Sequence, residues 1–441
     1  LIKNNFRTID IDICKKYLNH NFDILGSGWV EVFHGMKCNG MFGFNYDKKD
    51  HKNKKLRQRI NLSNKKSSNQ IAKFIGNEYK PIDWQIDFKS GYRWSEKVFS
   101  DQLSYGNLKG VDIKVPWELS RMHHLPQLAL YALNNEEDYF LFNKIIIEIK
   151  NQLLDFISSN PCGFGVNWVC PMDIGIRATN WIVTIDIIFE YLNSYFKKKE
   201  LDIIYQSIFK HGCFIVDNLE WSHDRNNHYY ANICSLVYIA SYLEGPVEID
   251  DWLSFSISEF RIETLRQFGS DGGNFEGSTS YHRLSFEMLT YTSAIILGNS
   301  INKLNKLNKR KKNSYLKLNK IYIFNQNNHS NNQNVLIKKE NRYILFSRKF
   351  MNRFEKALKF SKAIIFPDDC IIQVGDNDSE LHIFFNPNLF GNKWQKHPSN
   401  PVIFDSKYAR NGGLILDQNK IYRIFQKQRF NDYGYSSGIS E

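Results

Sequence analysis

Between about residue 117 and residue 297, apolar residues recur at three- and four-residue spacing, the pattern of helices that bury one face. The stretches HHLPQLALYAL, YFLFNKIIIEIKNQLLDFI, IGIRATNWIVTIDIIFEYL, LDIIYQSIFKHGCFIVDNL, HYYANICSLVYIASYL, DDWLSFSISEFRIETLRQF and YHRLSFEMLTYTSAIIL follow one another through short polar loops. Little strand-like alternation lies between them. Such a run predicts stacked antiparallel helical hairpins, and a superhelical solenoid and a closed α/α toroid both fit. A further helix is expected in SRKFMNRFEKALKFSKAII, ending at FPDDC. Beyond about residue 403, GGLILDQNKIYRIFQKQRF alternates like a β-hairpin turning at Asp417. The first 110 residues are mixed, with glycine- and aromatic-rich loops such as ILGSGWVEVFHG. The domain plan that follows is a mixed segment over 1–110, a helical domain over 111–375 with an Asn/Lys-rich insertion at about 301–335, and a linker with the first strands of a β domain over 376–441. Two strands do not make a stable domain. The chain is therefore expected to be part of a longer protein.

Composition changes this picture only locally. Of the net charge of +12, residues 48–66 and residues 303–320 contribute +8 each, which leaves the remainder at −4. The basicity thus sits in two polar, low-complexity runs, expected to be solvated or disordered. They could help attract an acidic polymer, but no basic face for nucleic acid is implied. Seven cysteines without a CxxC or a regular spacing indicate neither a zinc site nor a disulfide framework. No apolar run reaches membrane-spanning length. The 15% aromatic share suits flat ligands such as sugars, and large cores use aromatics too.

Four polar clusters stand at loop-to-helix junctions, where hairpin ends can converge on one cleft. WELSRMHHL carries Trp117, Glu118, Arg121 and His124; NWVCPMDIGIRATNW carries Asp173, Arg177, Asn180 and Trp181. DRNNHYYAN carries Asn226, Asn227 and His228. In DGGNFEGSTSYHRL, glycines and hydroxyl-bearing cap residues explain the turn and the helix start, but not Glu276, Tyr281 and His282. Each cluster also has a plainer reading. Arg121 and Arg177 can pair with Glu118 and Asp173, and Asn226 and Asn227 can be turn and cap residues. Asp376 and Asp378 are too few acids for a calcium loop.

At these residues the sequence resembles the heparinase II/III family of polysaccharide lyases, and also related alginate lyases. The similar stretches are YLNHNFDILGSG, IDWQIDFKSGYRW, WELSRMHHLPQLA, MDIGIRATNW, RNNHYYAN, DGGNFEGSTSYHRL and VGDNDSE, in that order. The resemblance implies an α/α toroid followed by an antiparallel β-sandwich. It also implies cleavage of a uronate-containing acidic polysaccharide by β-elimination, in a periplasmic or extracellular setting. By position, Asn227 and His228 match the family's carboxylate-neutralising residues, and Tyr281, with His282 beside it, matches the catalytic tyrosine. The family's further histidine, on an HxHxD-like strand of the sandwich, has no counterpart in this sequence, and Glu380 departs from the usual small residue.

The chemistry sets three roles: masking the sugar carboxylate, removing the C5 proton, and protonating the leaving oxygen. Amide and imidazole donors at Asn227 and His228 suit the first. Tyr281, with an ordinary pKa near 10, is a good acid and a reluctant base. A helix start and a cation, with His282 and Arg121 as candidates, would lower that pKa. Trp117, Glu118, Arg121, Arg177, Asn180, Trp181, Asn226 and Glu276 are expected to bind substrate, Arg forks suiting carboxylates or sulfates. No metal or cofactor is required. Two alternatives stay open: a glycoside hydrolase on the same toroid using two of Glu118, Asp173, Asp271 and Glu276, and a non-catalytic glycan-binding or envelope-assembly protein.

Overall fold

The computed structural model describes residues 8–41, 43–47, 60–309, 337–339, 342–365, 374, 410–417, 420–426 and 437–440. Asp376, Asp378 and Glu380 lie outside them. The chain forms two compact units, with the division at Asn218/Leu219, inside the helical stretch.

The first unit opens with α1 (Ile11–Leu18) and an antiparallel pair, β1 (Asn21–Asp23) and β2 (Trp29–Glu31). After α2 (Leu62–Ala72) comes a short hairpin of β3 (Ile86–Asp87) and β4 (Tyr92–Arg93). The helices α3 (Lys114–Ser120), α4 (His124–Asn134), α5 (Tyr139–Ser159), α6 (Pro171–Ile187), α7 (Leu192–Tyr195) and α8 (Lys198–Asp217) follow. The mixed N-terminal segment does not stand apart from these helices. Asp155 of α5 accepts from the Trp84 indole at 2.9 Å and the Ile82 amide at 3.2 Å, while His20 reaches Glu148 at 2.7 Å. A buried carboxylate with several donors outweighs its desolvation, so α5 anchors the segment. The end of the first basic run is also ordered. Asn61 caps α2, whose Ser68 hydroxyl donates to the Ser158 carbonyl of α5, so residues 62–66 are helix rather than solvated coil. Residues 48–59 of that run lie outside the described residues.

The second unit contains α9 (Asn227–Tyr242), α10 (Val247–Gln267), α11 (Thr279–Gly298) and α12 (Ile301–Lys309). Next come a pair, β5 (Ile337–Lys339) with β6 (Arg342–Ile344), and α13 (Arg348–Ala363). Last is an antiparallel sheet in the order β7 (Arg410–Asp417), β8 (Lys420–Gln426), β9 (Ser437–Ser440). The expected hairpin is β7–β8, closing at Asp417↔Lys420. Side-chain bonds give the helix directions. Tyr229 near the start of α9 donates to Glu259 at 2.8 Å, and Tyr230 meets Thr264 near the end of α10, so these two are antiparallel. Asn227 bonds Glu276, just before α11, and Ser241 near the end of α9 meets Asn299 just after α11. Hence α9 and α11 run parallel, with both N-termini at one end. This is the hairpin repeat of a mainly α, toroid-type array.

The second basic run, expected over 303–320 to be solvated or disordered, is ordered at its start. Residues 301–309 form α12 because Leu304 and Leu307, three apart, bury a face (1% and 5% exposed) that the Asn/Lys-rich composition obscures. Lys303 Nζ donates to the carbonyls of Ala240 and Ser241 at 3.1 and 2.8 Å, satisfying the last turn of α9. Lys306 pairs with Asp250 at 3.1 Å. Residues 310–336 lie outside the described residues. No described helix is long and apolar enough to cross a membrane.

Candidate active site

The polar residues singled out in the first unit are brought together by α3, the start of α4, and α6. Between α3 and α4 the chain passes through Met122 in the left-handed region, at φ +55°. Trp181 holds that turn, its indole N–H on the Met122 sulfur at 2.9 Å. Arg121 then donates from Nε to Asp173 at 2.5 Å and from Nη1 to Glu118 at 2.6 Å. Of the two expected arginine pairs, only this one forms. Arg177 is enclosed and bonds no carboxylate among the described residues: Nε donates to His211 Nε2 at 3.0 Å, Nη1 to Ser120 Oγ at 3.3 Å and Nη2 to the Asn167 carbonyl at 3.0 Å. Its guanidinium lies 4.5 Å from the Phe156 ring centroid. Burial pulls Arg177 down to about 9, against the opposing pull of Asp173. Burial also pushes His211 well down, with Arg177 adding to it, so the ring stays neutral.

Those partners correct the substrate-binding expectation for several residues. Trp181 is fully buried, packed edge-on to Phe156 at 5.6 Å, and offers no face for a sugar. Arg177 and Asn180 are likewise enclosed, Asn180 Nδ2 donating to the Arg121 carbonyl at 3.0 Å. His124 is structural: Nε2 meets Gln152 Oε1 at 2.6 Å, and burial pushes it down to about 4. Trp117 is only half-buried, its indole N–H donating to the Val166 carbonyl at 2.8 Å.

In the second unit, Asn226 is the N-cap of α9, its side chain accepting from the His228 amide at 3.1 Å. Asn227 is thereby set on the first turn, 3% exposed. Its Nδ2 lies 3.0 Å from both oxygens of Glu276, and its backbone N–H donates to Oε1 at 3.0 Å. Asn227 Oδ1 is buried with no hydrogen-bond partner among the described residues. Glu276 is held in place by its own loop. Asn274 accepts from the Glu276 amide at 3.0 Å and donates to Ser285 of α11 at 3.0 Å. The loop lies against α13: Gly272 has φ +97°, and a Cβ there would come within 2.3 Å of the Lys356 backbone, so only glycine fits. Ser278 then caps α11 by accepting from the Tyr281 amide at 3.2 Å, which places Tyr281 on the first turn, 8% exposed.

His228 has a partner that sequence reasoning missed. Its Nδ1 lies 2.9 Å from Glu220 Oε1. Asn232, one turn further along α9, donates to Glu220 Oε2 at 3.0 Å and accepts from the Glu220 amide at 2.9 Å. The available signal was the i,i+4 spacing of His228 and Asn232, which puts both on one face of the helix.

His282 is corrected. The Ser361 hydroxyl donates to the Ala357 carbonyl at 2.9 Å, so its oxygen accepts from His282 Nε2–H at 2.8 Å. The ring packs against Phe268, Phe286 and Phe360, and Nδ1 has no hydrogen-bond partner among the described residues. Burial pushes His282 down to about 4, against the Ala357 carbonyl and Asp271. It is neutral near neutral pH and is not the cation expected to lower Tyr281. Arg121, the other candidate, is balanced by two carboxylates of its own unit.

Residues 41–327 match a family model described as "Heparinase II/III N-terminus". No curated protein matches the chain. Similar solved structures include a heparinase III gene product, with TM-score 0.41, 17% identity, and coverage of 73% of this chain and 43% of that one. The heparan sulfate lyase HepC from Pedobacter heparinus gives a TM-score of 0.40 at 16% identity, covering 73% of this chain and 41% of that one. A mutant of the same lyase gives 0.42 at 16%, covering 84% and 41%. The chain spans less than half the length of these structures.

Proposed function

This chain belongs to the heparinase II/III family, and from that membership we propose that it acts as a polysaccharide lyase, cleaving a uronate-containing acidic polymer outside the cytoplasm by β-elimination. The observation that best supports the reading is the pairing of α9 with α11. Two parallel helices start at the same end of one unit, with Asn227 on the first turn of one and Tyr281 on the first turn of the other, and Glu276 joins the two starts. Helix N-termini carry partial positive charge, which favours a sugar carboxylate and the enolate-like charge that grows on it.

In this mechanism the Asn227 amide and the His228 ring in its charged form, with an N–H on each nitrogen, lie against the uronate carboxylate and drain its charge. The C5 proton then becomes acidic enough to leave. Asn227 Nδ2 carries two N–H groups, so the substrate carboxylate shares the amide with Glu276. The C5–H electrons form the C4–C5 double bond, the C4–O bond breaks, and Tyr281 protonates the departing oxygen. This requires the proton and the leaving oxygen on one face, so that the Tyr281 phenolate takes the C5 proton and returns that same proton to the oxygen.

The hydrolase alternative needs two carboxylates flanking the bond. Glu118 and Asp173 both lie on Arg121, Glu276 lies on Asn227, and Asp271 accepts from the Gly273 amide at 3.1 Å, so the four candidate acids have internal partners.

The test is product analysis with candidate uronate polymers. Elimination leaves an ultraviolet-absorbing double bond at the new non-reducing end, and hydrolysis leaves none. Tyr281→Phe is expected to abolish that absorbance while polymer binding persists. Unchanged turnover in this variant would remove Tyr281 from the mechanism.

A further inference from the structure

We propose that Glu220, locked by Asn232, is a positioning residue that fixes the imidazole tautomer of His228. The proposal rests on the lyase reading only for the use to which His228 is put.

Three side chains make the lock. Asn232 is fully buried on the second turn of α9 and meets Glu220 twice, accepting from its backbone N–H at 2.9 Å and donating to its Oε2 at 3.0 Å. An amide offers one acceptor and one donor in fixed relation. Asn232 therefore sets both the backbone and the carboxylate plane of Glu220. With Oε2 so held, Oε1 faces His228 Nδ1 at 2.9 Å. His228 stands four residues before Asn232 on the same face of α9, so one helix carries both ends of the arrangement.

A carboxylate only accepts. At 2.9 Å the pair is a hydrogen bond only if Nδ1 carries the proton; a bare Nδ1 would set two lone pairs face to face. The neutral ring therefore has Nδ1–H and a lone pair on Nε2. The hydrogen bond at one ring nitrogen decides the state of the other. Nε2 then accepts when the ring is neutral and donates to the sugar carboxylate only when it is charged, with Glu220 on Nδ1–H in both states; the side chain is 38% exposed. Asn227, its neighbour, is aimed by Glu276. Adjacent residues of one helical turn are each held by an acid from outside the helix.

A purely structural Glu220 would affect stability without touching the tautomer. Nitrogen-15 histidine NMR on the full chain separates the two, read alongside elimination kinetics. In the unaltered protein His228 is expected to carry its neutral-state proton on Nδ1. In Glu220→Ala it reverts to the Nε2–H form, and kcat falls by at least about tenfold with KM little changed.

Glu220→Gln alone points an amide N–H₂ at the Asn232 N–H₂. The double variant Glu220→Gln with Asn232→Asp removes that conflict. The carboxylate introduced on α9 accepts from both the introduced amide N–H₂ and the backbone N–H of the same residue, and the introduced amide carbonyl faces Nδ1. This variant is expected to restore the Nδ1–H form and most of the rate, and it guards against loss of folding in the alanine variant. A proton on Nε2 in the unaltered protein, or the same tautomer with and without Glu220, overturns the proposal. If the tautomers follow as stated but no uronate polymer is eliminated, the lyase reading fails and the lock stands. If elimination occurs and Glu220→Ala keeps both tautomer and rate, the lock fails and the lyase reading stands.

Discussion

His282 should act on the acid stability of the second unit, and replacing it by Phe isolates the effect. The folded ring is pushed down to about 4 by burial, while the unfolded ring titrates near its ordinary 6.5. Between these values the unfolded chain binds more protons, so stability rises with pH: the contribution is full above about 6.5 and is lost as pH falls toward about 4. Going from about pH 7.5 to about pH 4.5 should therefore cost about 2.5 kcal/mol through this group. Phe fits the site because its neighbours are Phe268, Phe286 and Phe360. The Ser361 hydroxyl keeps its bond to the Ala357 carbonyl, so no donor is orphaned and the neutral-pH cost should stay near about 1 kcal/mol. The assay is hydrogen exchange of the α11 amides, which reads the second unit directly, with urea midpoints beside it. Every other titrating group is common to both proteins and cancels. His282→Phe should lose about 2.5 kcal/mol less on acidification than the unaltered protein. Equal losses would refute the claim that His282 is held neutral, and would return it to candidacy as the cation beside Tyr281.

Glu276→Ala removes the acceptor that aims Asn227, and kcat for elimination should fall roughly a hundredfold while α11 keeps its exchange protection; an unchanged kcat would show that the amide needs no alignment. Leu304→Ala should destabilise the second unit by about 2–4 kcal/mol by denaturant titration, since Leu304 is 1% exposed. Deleting 303–320 should lower the thermal midpoint as well, because it removes the Lys303 bonds to the end of α9. Arg121→Met takes the cation from buried Asp173 and part-buried Glu118 and should cost the first unit about 3–5 kcal/mol; a stability change under about 1 kcal/mol would show that the cluster is not paired in solution.

The helices were legible because their cause is local. Ser278 caps α11 and Asn226 caps α9 as their residue types suggest, and the apolar spacing of α4 to α11 marks the buried faces. α12 was hidden by composition: Asn and Lys dominate 301–309, yet Leu304 and Leu307 suffice to dock it. Gly272 was legible as a turn but not as a close approach, since α13 lies more than seventy residues away in sequence. The same distance problem governs the site. Arg177 lies near Asp173 in sequence, but His211, on another helix, takes its Nε. His282 sits beside Tyr281 in sequence and among phenylalanines in space.

On the proposed lyase reading, what separates a working side chain from a structural one is how an internal partner leaves it, not whether it has one. Ser361 holds His282 with its bare Nδ1 inside an aromatic cluster, where a charge has no solvation, so the ring is inert. Glu220 holds His228 by Nδ1, and the ring remains partly exposed. Glu276 holds Asn227 by its donor end, leaving a buried carbonyl without a partner among the described residues. An unmet acceptor costs about 1–3 kcal/mol in a folded protein. A sugar hydroxyl donating to it would recover that free energy on binding. The two acids hold these side chains in the free protein, so in the proposed mechanism little rearrangement would be left for the chemical step. That is the condition under which a few polar groups stabilise a developing charge more than water does.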